Sequence, residues 1–468
     1  MKHNKGRNIL CALIAMLVFF YACWACFAAG EETADEYSYS GPVNINSPDA
    51  ENEDKKLSSQ IKYRDHFSFD VRILTYGIIQ EPAESSQNPG NNLINLPHYI
   101  ANLEVRPDVY FNSSVVDISA KPRAKLYFRA WEDGDLKGET KWDDDWYVNE
   151  WLVRIKAGDR LFVSYGRENL QWGPSFLYSP SNPFFSDNGR SNPYMEIPGM
   201  DFGRLIFIPN RFWTISLIVN TDEGRNILPG PDPFVNTYAV KIDFTGRQNY
   251  ASLILSQRDD KNYNPVLGFF GGWTVSDAIL LYGEGSLTKG SQALYPQGNI
   301  LWASMQRIHG DDSDIKPVLL AGGSYTFYNG GTLTLEYMHN APGYNKDEAD
   351  LYYEFRRDAA CLFNMGGIAG FIGKYFLSQT GNPGLRFLRK NYVMLQYYHG
   401  NIKDKFDMTL RWTQNIDDGS GQFLGLLSYS AGNHWALFSS GAINVGNADT
   451  EFGSILNYQF MPGLKFVF

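Results

Sequence analysis

From about Phe67 onward the chain alternates apolar and polar residues with a period of two. Phe67, Phe69, Val71 and Ile73 are interleaved with Ser68, Asp70 and Arg72. Ala101, Leu103, Val105, Val109 and Phe111 are interleaved with Asn102, Glu104, Arg106, Asp108 and Tyr110. Residues 123–130, 150–156 and 405–412 repeat the pattern. This is the period of strands whose two faces meet different surroundings. A soluble β-sandwich would alternate in the same way, so the connections have to decide.

Short turns are expected at 112–114, 157–160, 210–211, 246–247, 276–277, 329–331, 401–403 and 431–433. Between them lie longer links, among them 81–97, 132–145, 173–200, 222–233, 289–316 and 340–389. Strict exchange of short and long connections is the habit of an outer-membrane barrel, with tight periplasmic turns and long outer loops. The expected fold is therefore all-β, a transmembrane up-and-down antiparallel barrel over residues 63–468. At about 22 residues per strand with its connection, that span holds 18 strands, with 16 as the other count considered. An even number leaves both chain ends in the periplasm.

The N-terminus has the plan of an export signal. Lys2, Lys5 and Arg7 precede the apolar run 9–20, and small residues follow, ending Ala28-Ala29-Gly30. Residues 1–29 read as a signal peptide cut near Ala28 or Ala29, which implies localisation beyond the inner membrane. Residues 30–62 read as a polar, acidic leader without enough apolar surface to fold, hence disordered. Cys11, Cys23 and Cys26 leave with the signal, so Cys361 would be the sole cysteine and no intramolecular disulfide could form.

Composition narrows the function. Hydrophobic residues make up 44%, aromatic residues 15% and charged residues 20%, too apolar for a disordered chain. The net charge of −10 argues against nucleic acid as a partner. The many aromatics suit girdles at two membrane interfaces. No HExxH zinc motif or GxSxG elbow occurs. No enzyme activity, cofactor or metal is expected.

If the apolar positions face lipid, a set of charged residues faces the lumen. The first four strands bring Arg72, Arg106, Arg123, Lys125, Arg129, Arg154 and Lys156 inward, with Asp70, Glu104, Asp108 and Glu150 among them. Such a wall would favour anions unless its own acids neutralise it. Beyond it, the segment 165–201 breaks the alternation, because Arg167 continues the parity of Leu161 and Val163. Either the strand leaves the membrane there or a bulge shifts its register. The Pro-, Asn- and Ser-rich stretch that follows is expected either to fold into the lumen as a constriction or to cap the barrel outside. Arg167, Trp172 and Arg190 complete the candidate lumen-lining residues.

Two resemblances add to this reading. The closing alternation of Leu464, Phe466 and Phe468 resembles the last strand of Gram-negative outer-membrane barrels, which implies recognition by the barrel-assembly machinery. Gly166-Arg167, Trp172-Gly173-Pro174 and the later Asn182-Pro183 resemble a segment of Wzi-type capsule-assembly barrels. The same stretch is similar to one in uncharacterised porin-like barrels. Both imply a cell outer membrane location and contact with its lipids; the first also implies a surface polysaccharide. The leading expectation is a porin-like channel for passive passage of small hydrophilic solutes, anions included. The alternative is a barrel that exports, assembles or binds an extracellular or capsular polysaccharide.

Overall fold

The structure, a computed structural model, describes residues 66–185, 189–190, 192–226, 232–298 and 304–468. The expected signal peptide and leader lie outside the described residues, as do residues 63–65. Eighteen strands form one antiparallel sheet that closes on itself. They are β1 (Phe67–Pro82), β2 (Tyr99–Asn112), β3 (Val116–Ala130), β4 (Thr140–Lys156), β5 (Leu161–Glu168), β6 (Met200–Asn210), β7 (Trp213–Asp222), β8 (Thr237–Thr245) and β9 (Asn249–Arg258). The circuit continues with β10 (Val266–Ser276), β11 (Ile279–Lys289), β14 (Ile315–Thr326), β15 (Thr332–Asn340), β16 (Asn391–Ile402), β17 (Phe406–Asn415), β18 (Gly421–Ala431), β19 (Trp435–Val445) and β20 (Leu456–Val467). Each pairs with the next strand of this circuit, and β1 pairs with β20 from Arg72↔Val467 to Pro82↔Leu456. A two-stranded ribbon, β12 (Tyr295–Gln297) with β13 (Ser304–Gln306), sits in the loop before β14.

All eight expected short turns join strands at one end of the barrel. The loops at the other end run from 416–420 to the long excursion 341–390. Two expectations need correction. The link 132–145 is shorter, because Thr140 to Asp145 extend β4 and pair with β3. The stretch 340–389 is more than loop: it folds into a helical hairpin, α1 (Lys346–Met365) and α2 (Gly367–Thr380). Asn345 caps α1, accepting from the Glu348 N–H while the Glu348 carboxylate accepts from the Asn345 N–H. That reciprocal pair satisfies two otherwise orphaned donors and starts the helix.

The alternation has the orientation expected. On β1, Phe67, Phe69, Ile73 and Ile79 are exposed outward, while Leu74, Tyr76 and Ile78 are buried inside. Outward leucines at mid-strand, such as Leu253, Leu335 and Leu395, are half-exposed, with no protein layer over them among the described residues. An apolar belt on a closed ladder is the surface of a barrel that sits in lipid. At the short-turn end Trp213 meets Phe244 at a tilt, Tyr325 meets Phe327, and Trp435 meets Phe466. These rings form the girdle at that interface, and the short turns mark it as periplasmic.

A charge in this belt should be costly. Leu253→Arg is expected to lower stability by about 2–4 kcal/mol. Urea unfolding in liposomes measures it; an unchanged midpoint would mean that this face is not in the hydrocarbon.

Candidate functional site

The β5–β6 loop, residues 169–199, enters the barrel and crosses it. β5 stops at Glu168 with its register to β6 unbroken, so the break in alternation there is a strand leaving the sheet, not a bulge. Two buried carboxylates on the far wall then hold the loop. Glu284 of β11 accepts from the Ser179 and Ser181 hydroxyls, both at 2.6 Å, and from the Ser181 N–H at 3.3 Å. Glu336 of β15 accepts from the N–H groups of Phe176 at 2.7 Å and Leu177 at 2.9 Å, and from the Tyr282 hydroxyl. A carboxylate has about four acceptor sites, so each acid can serve several donors of an irregular backbone at once. The fit is close. Gly173 has φ +89°, and a Cβ there would lie 2.4 Å from the Glu284 oxygens. On β10 the inward Gly268 leaves room for the Ser181 carbonyl, 2.6 Å from where a Cβ would stand.

Apolar contacts fill the rest. Phe184 and Phe185 pack on inward Phe202, Ile218, Ala239 and Ile254, covering the wall from β6 to β9. Trp172 meets Phe184 edge to face at 5.9 Å. Leu177 and Tyr178 cover inward Tyr282, Leu320, Met338 and Tyr392 on β11 to β16. Farther along, Tyr194 stacks on Phe438 of β19 at 3.8 Å, and its hydroxyl donates to Ser428 of β18. The loop thus touches walls on several sides of the lumen, which makes it a constriction and not an outer cap.

Its return leg meets the basic residues of the first strands. Glu196 accepts from Arg123 at 2.6 and 2.8 Å, and lies 3.8 Å from Arg72 and 4.0 Å from Arg106. Arg123 also pairs with Asp108 at 2.9 Å, and its side chain is 0% exposed. Arg106 binds Glu104 and donates to the Tyr194 carbonyl at 3.0 Å. Lys125 binds Glu104 at 3.0 Å, and Arg72 binds Asp108 at 2.5 Å. Four bases (Arg72, Arg106, Arg123, Lys125) therefore share four acids (Asp70, Glu104, Asp108, Glu196).

The remaining candidates are placed as follows. Arg129 pairs with Asp143, Lys156 with Asp117, and Glu150 with Lys121 on the inner wall. Arg154 is half-buried there, near Glu168, which binds Arg204. Arg190 lies within the loop and donates to the Gly173 carbonyl at 3.0 Å, its guanidinium over the Phe176 ring. Arg167 does not join this wall. It keeps the outward parity, binds Asp201 of β6 at 2.6 Å and closes the outer rim.

Sequence reasoning assigned no role to Glu284, Glu336 or Glu196. Glu284 could have been found as an acid on inward parity, between Tyr282 and Ser286. Glu196 carries no such signal, since nothing local says which wall a loop carboxylate reaches.

The closed ladder, the apolar belt and a loop folded into the lumen define an outer-membrane β-barrel. Among solved structures, the chain is similar to the outer membrane protein OprD from Pseudomonas aeruginosa, at 9% identity and a TM-score of 0.50 over 86% of this chain and 94% of that one. It is similar to Pseudomonas aeruginosa OccK11 (OpdR), at 9% identity and 0.50 over 86% and 96%. Acinetobacter baumannii OccAB1 stands at 10% and 0.50 over 86% and 96%. At such identities the likeness concerns the fold alone. No protein family and no curated protein matches the chain by sequence.

Replacing Glu284 by Ala would strand the Ser181 hydroxyl and N–H, at about 1–3 kcal/mol for each one left buried and unsatisfied, while the Ser179 hydroxyl keeps the Trp172 carbonyl at 2.9 Å. The loop should come loose while the barrel persists. Native heat-modifiability together with faster proteolysis within 169–199 is the expected result. Equal protease resistance in the variant would show that the carboxylate does not hold the loop.

Proposed function

We propose that the chain is a passive channel for small hydrophilic solutes, narrowed by the 169–199 loop. One observation carries this reading: beside the loop's return leg, part of the inner wall stays charged and partly exposed. Apolar clusters lie under the loop on β6 to β9, on β11 to β16, and around Tyr194. On β1 to β4, by contrast, Arg72, Lys121, Lys125, Arg129 and Glu150 point inward and stay partly exposed. Charges inside a barrel that keep contact with water line a hydrated path. The solved barrels of similar fold include an outer membrane protein, in keeping with this reading.

The charge preference of that path depends on pairing. With Glu196 in place, four acids offset four of the bases around it and Lys465 of β20, over the Tyr194 ring, adds a fifth, so anion preference is modest. Glu196 is the one acid of the set that comes from the loop. The second reading, handling of a surface polysaccharide, rests on the 166–174 segment; in the structure Gly173 and Trp172 there serve to seat the loop.

Planar-bilayer recording tests the proposal. Purified protein should give stepwise ohmic conductance with weak ion selectivity. No conductance, together with loss of surface polysaccharide in a deletion strain, would overturn the channel reading in favour of the second.

Glu196→Gln should move the reversal potential in a salt gradient towards chloride, since three arginines lose a shared counter-charge. Lys125→Gln with Arg129→Gln should move it the other way. If neither pair of measurements differs from the parent, the wall does not set selectivity.

A further inference from the structure

The α1–α2 hairpin ends in an apolar surface that the barrel does not use. On α2, Ile368, Phe371, Ile372 and Tyr375 recur at the spacing of one helical face. They are exposed to 83%, 76%, 41% and 55%, and Met365 at the end of α1 to 66%. The two glycines between the helices, Gly366 and Gly367, have positive φ and nothing within 4 Å of a Cβ. Residues 361–380 carry a single charge, Lys374. Other outer loops carry clustered acids, as at Glu132, Asp133, Asp135, Asp311, Asp312, Asp314, Asp417 and Asp418.

The course of α1 shows where this surface goes. Near its start, Tyr344, Ala349 and Tyr352 pack with Tyr295 of the ribbon above β11 and β14. Midway, Arg356 donates to the Gln87 carbonyl in the β1–β2 loop at 2.8 Å, and Arg357 binds Asp449 in the β19–β20 loop at 2.6 Å. The helix therefore crosses from one side of the outer mouth to the seam where β1 meets β20. Beyond Arg357 it runs on for about 12 Å, at 1.5 Å per residue, with α2 folded back on it through Gly373 and Phe363.

We infer that the hairpin tip is a membrane anchor: Ile368, Phe371, Ile372 and Met365 enter the outer leaflet beside the β1–β20 seam, and Lys374 faces the phosphates of an anionic lipid surface. Three features favour lipid over another occupant. The barrel's own apolar belt already places acyl chains next to this rim. A short apolar helix face with an amphipathic Tyr and a Lys at its border is the composition of an interfacial helix. The absence of any acid between 361 and 380 removes repulsion from an anionic surface, which the neighbouring loops would feel. The anchor would tie the outer lid of the mouth to the bilayer.

The test labels the tip in the whole protein. In a chain with the four native cysteines replaced by serine, Phe371→Cys is coupled to an environment-sensitive fluorophore. The protein is reconstituted in liposomes of phosphatidylcholine and phosphatidylglycerol, with or without dibrominated acyl chains. The expected result is a blue-shifted emission that the brominated lipid quenches at least twofold. Lys374→Glu should weaken the quenching in anionic liposomes and leave it unchanged in phosphatidylcholine alone. A water-like spectrum without quenching overturns the inference. So does a blue shift that brominated lipid leaves untouched and that disappears on dilution with unlabelled protein, which would assign the surface to a second copy of the chain. Heat-modifiable migration confirms folding of each variant independently of these readouts.

Discussion

In hydrocarbon no water is present to satisfy a stray N–H or C=O, and the architecture follows from that constraint. The sheet has to return to its first strand. The β1–β20 pairing does this, and the Phe468 N–H still finds the Val71 carbonyl at 2.9 Å at the last residue. Once the ladder is closed, the outer face is obliged to be apolar and the inner face is free to be polar. The period-two pattern is that obligation written along the chain.

The same constraint governs the loop in the lumen. Its backbone is irregular, so its amide groups cannot pair with one another as a strand's do. Placed inside the barrel, they need acceptors from the wall. Glu284 and Glu336 supply them with charged oxygens that each bind several donors. On the opposite side, the arginines of β1 to β3 meet the carboxylate of Glu196. A buried ion pair is weak evidence for stability, but losing one partner leaves a charge in a poor solvent, at about 3–5 kcal/mol. The basic wall thus serves the loop's position as much as any solute.

What could be read in advance follows from how local each signal is. Strand faces and tight turns are set by neighbours in sequence, and every short turn from 112–114 to 431–433 was legible. The break at Arg167 was also legible as a departure from parity, with the strand's exit one of two readings; the rim ion pair with Asp201, 34 residues away in sequence, was not legible. The helical hairpin left a readable trace, Asn345 followed by Glu348, which was overlooked within a long link. The tethers of the loop were not readable. Ser179 and Glu284, or Tyr194 and Ser428, are partners only because the barrel is round, and roundness has no local signature.

That last point bears on the order of assembly. The loop leaves the sheet after the fifth strand, yet its partners are 105 residues away at Glu284, 160 at Glu336, 234 at Ser428 and 248 at Ser440. Contacts of such sequence separation come late, after the intervening chain has been closed into place. While the later strands are still being added, the inside of the cylinder has no far wall for the loop to grip. The narrow point of the lumen is therefore among the last parts of the molecule to take shape, and a barrel caught before that step would be a wider tube.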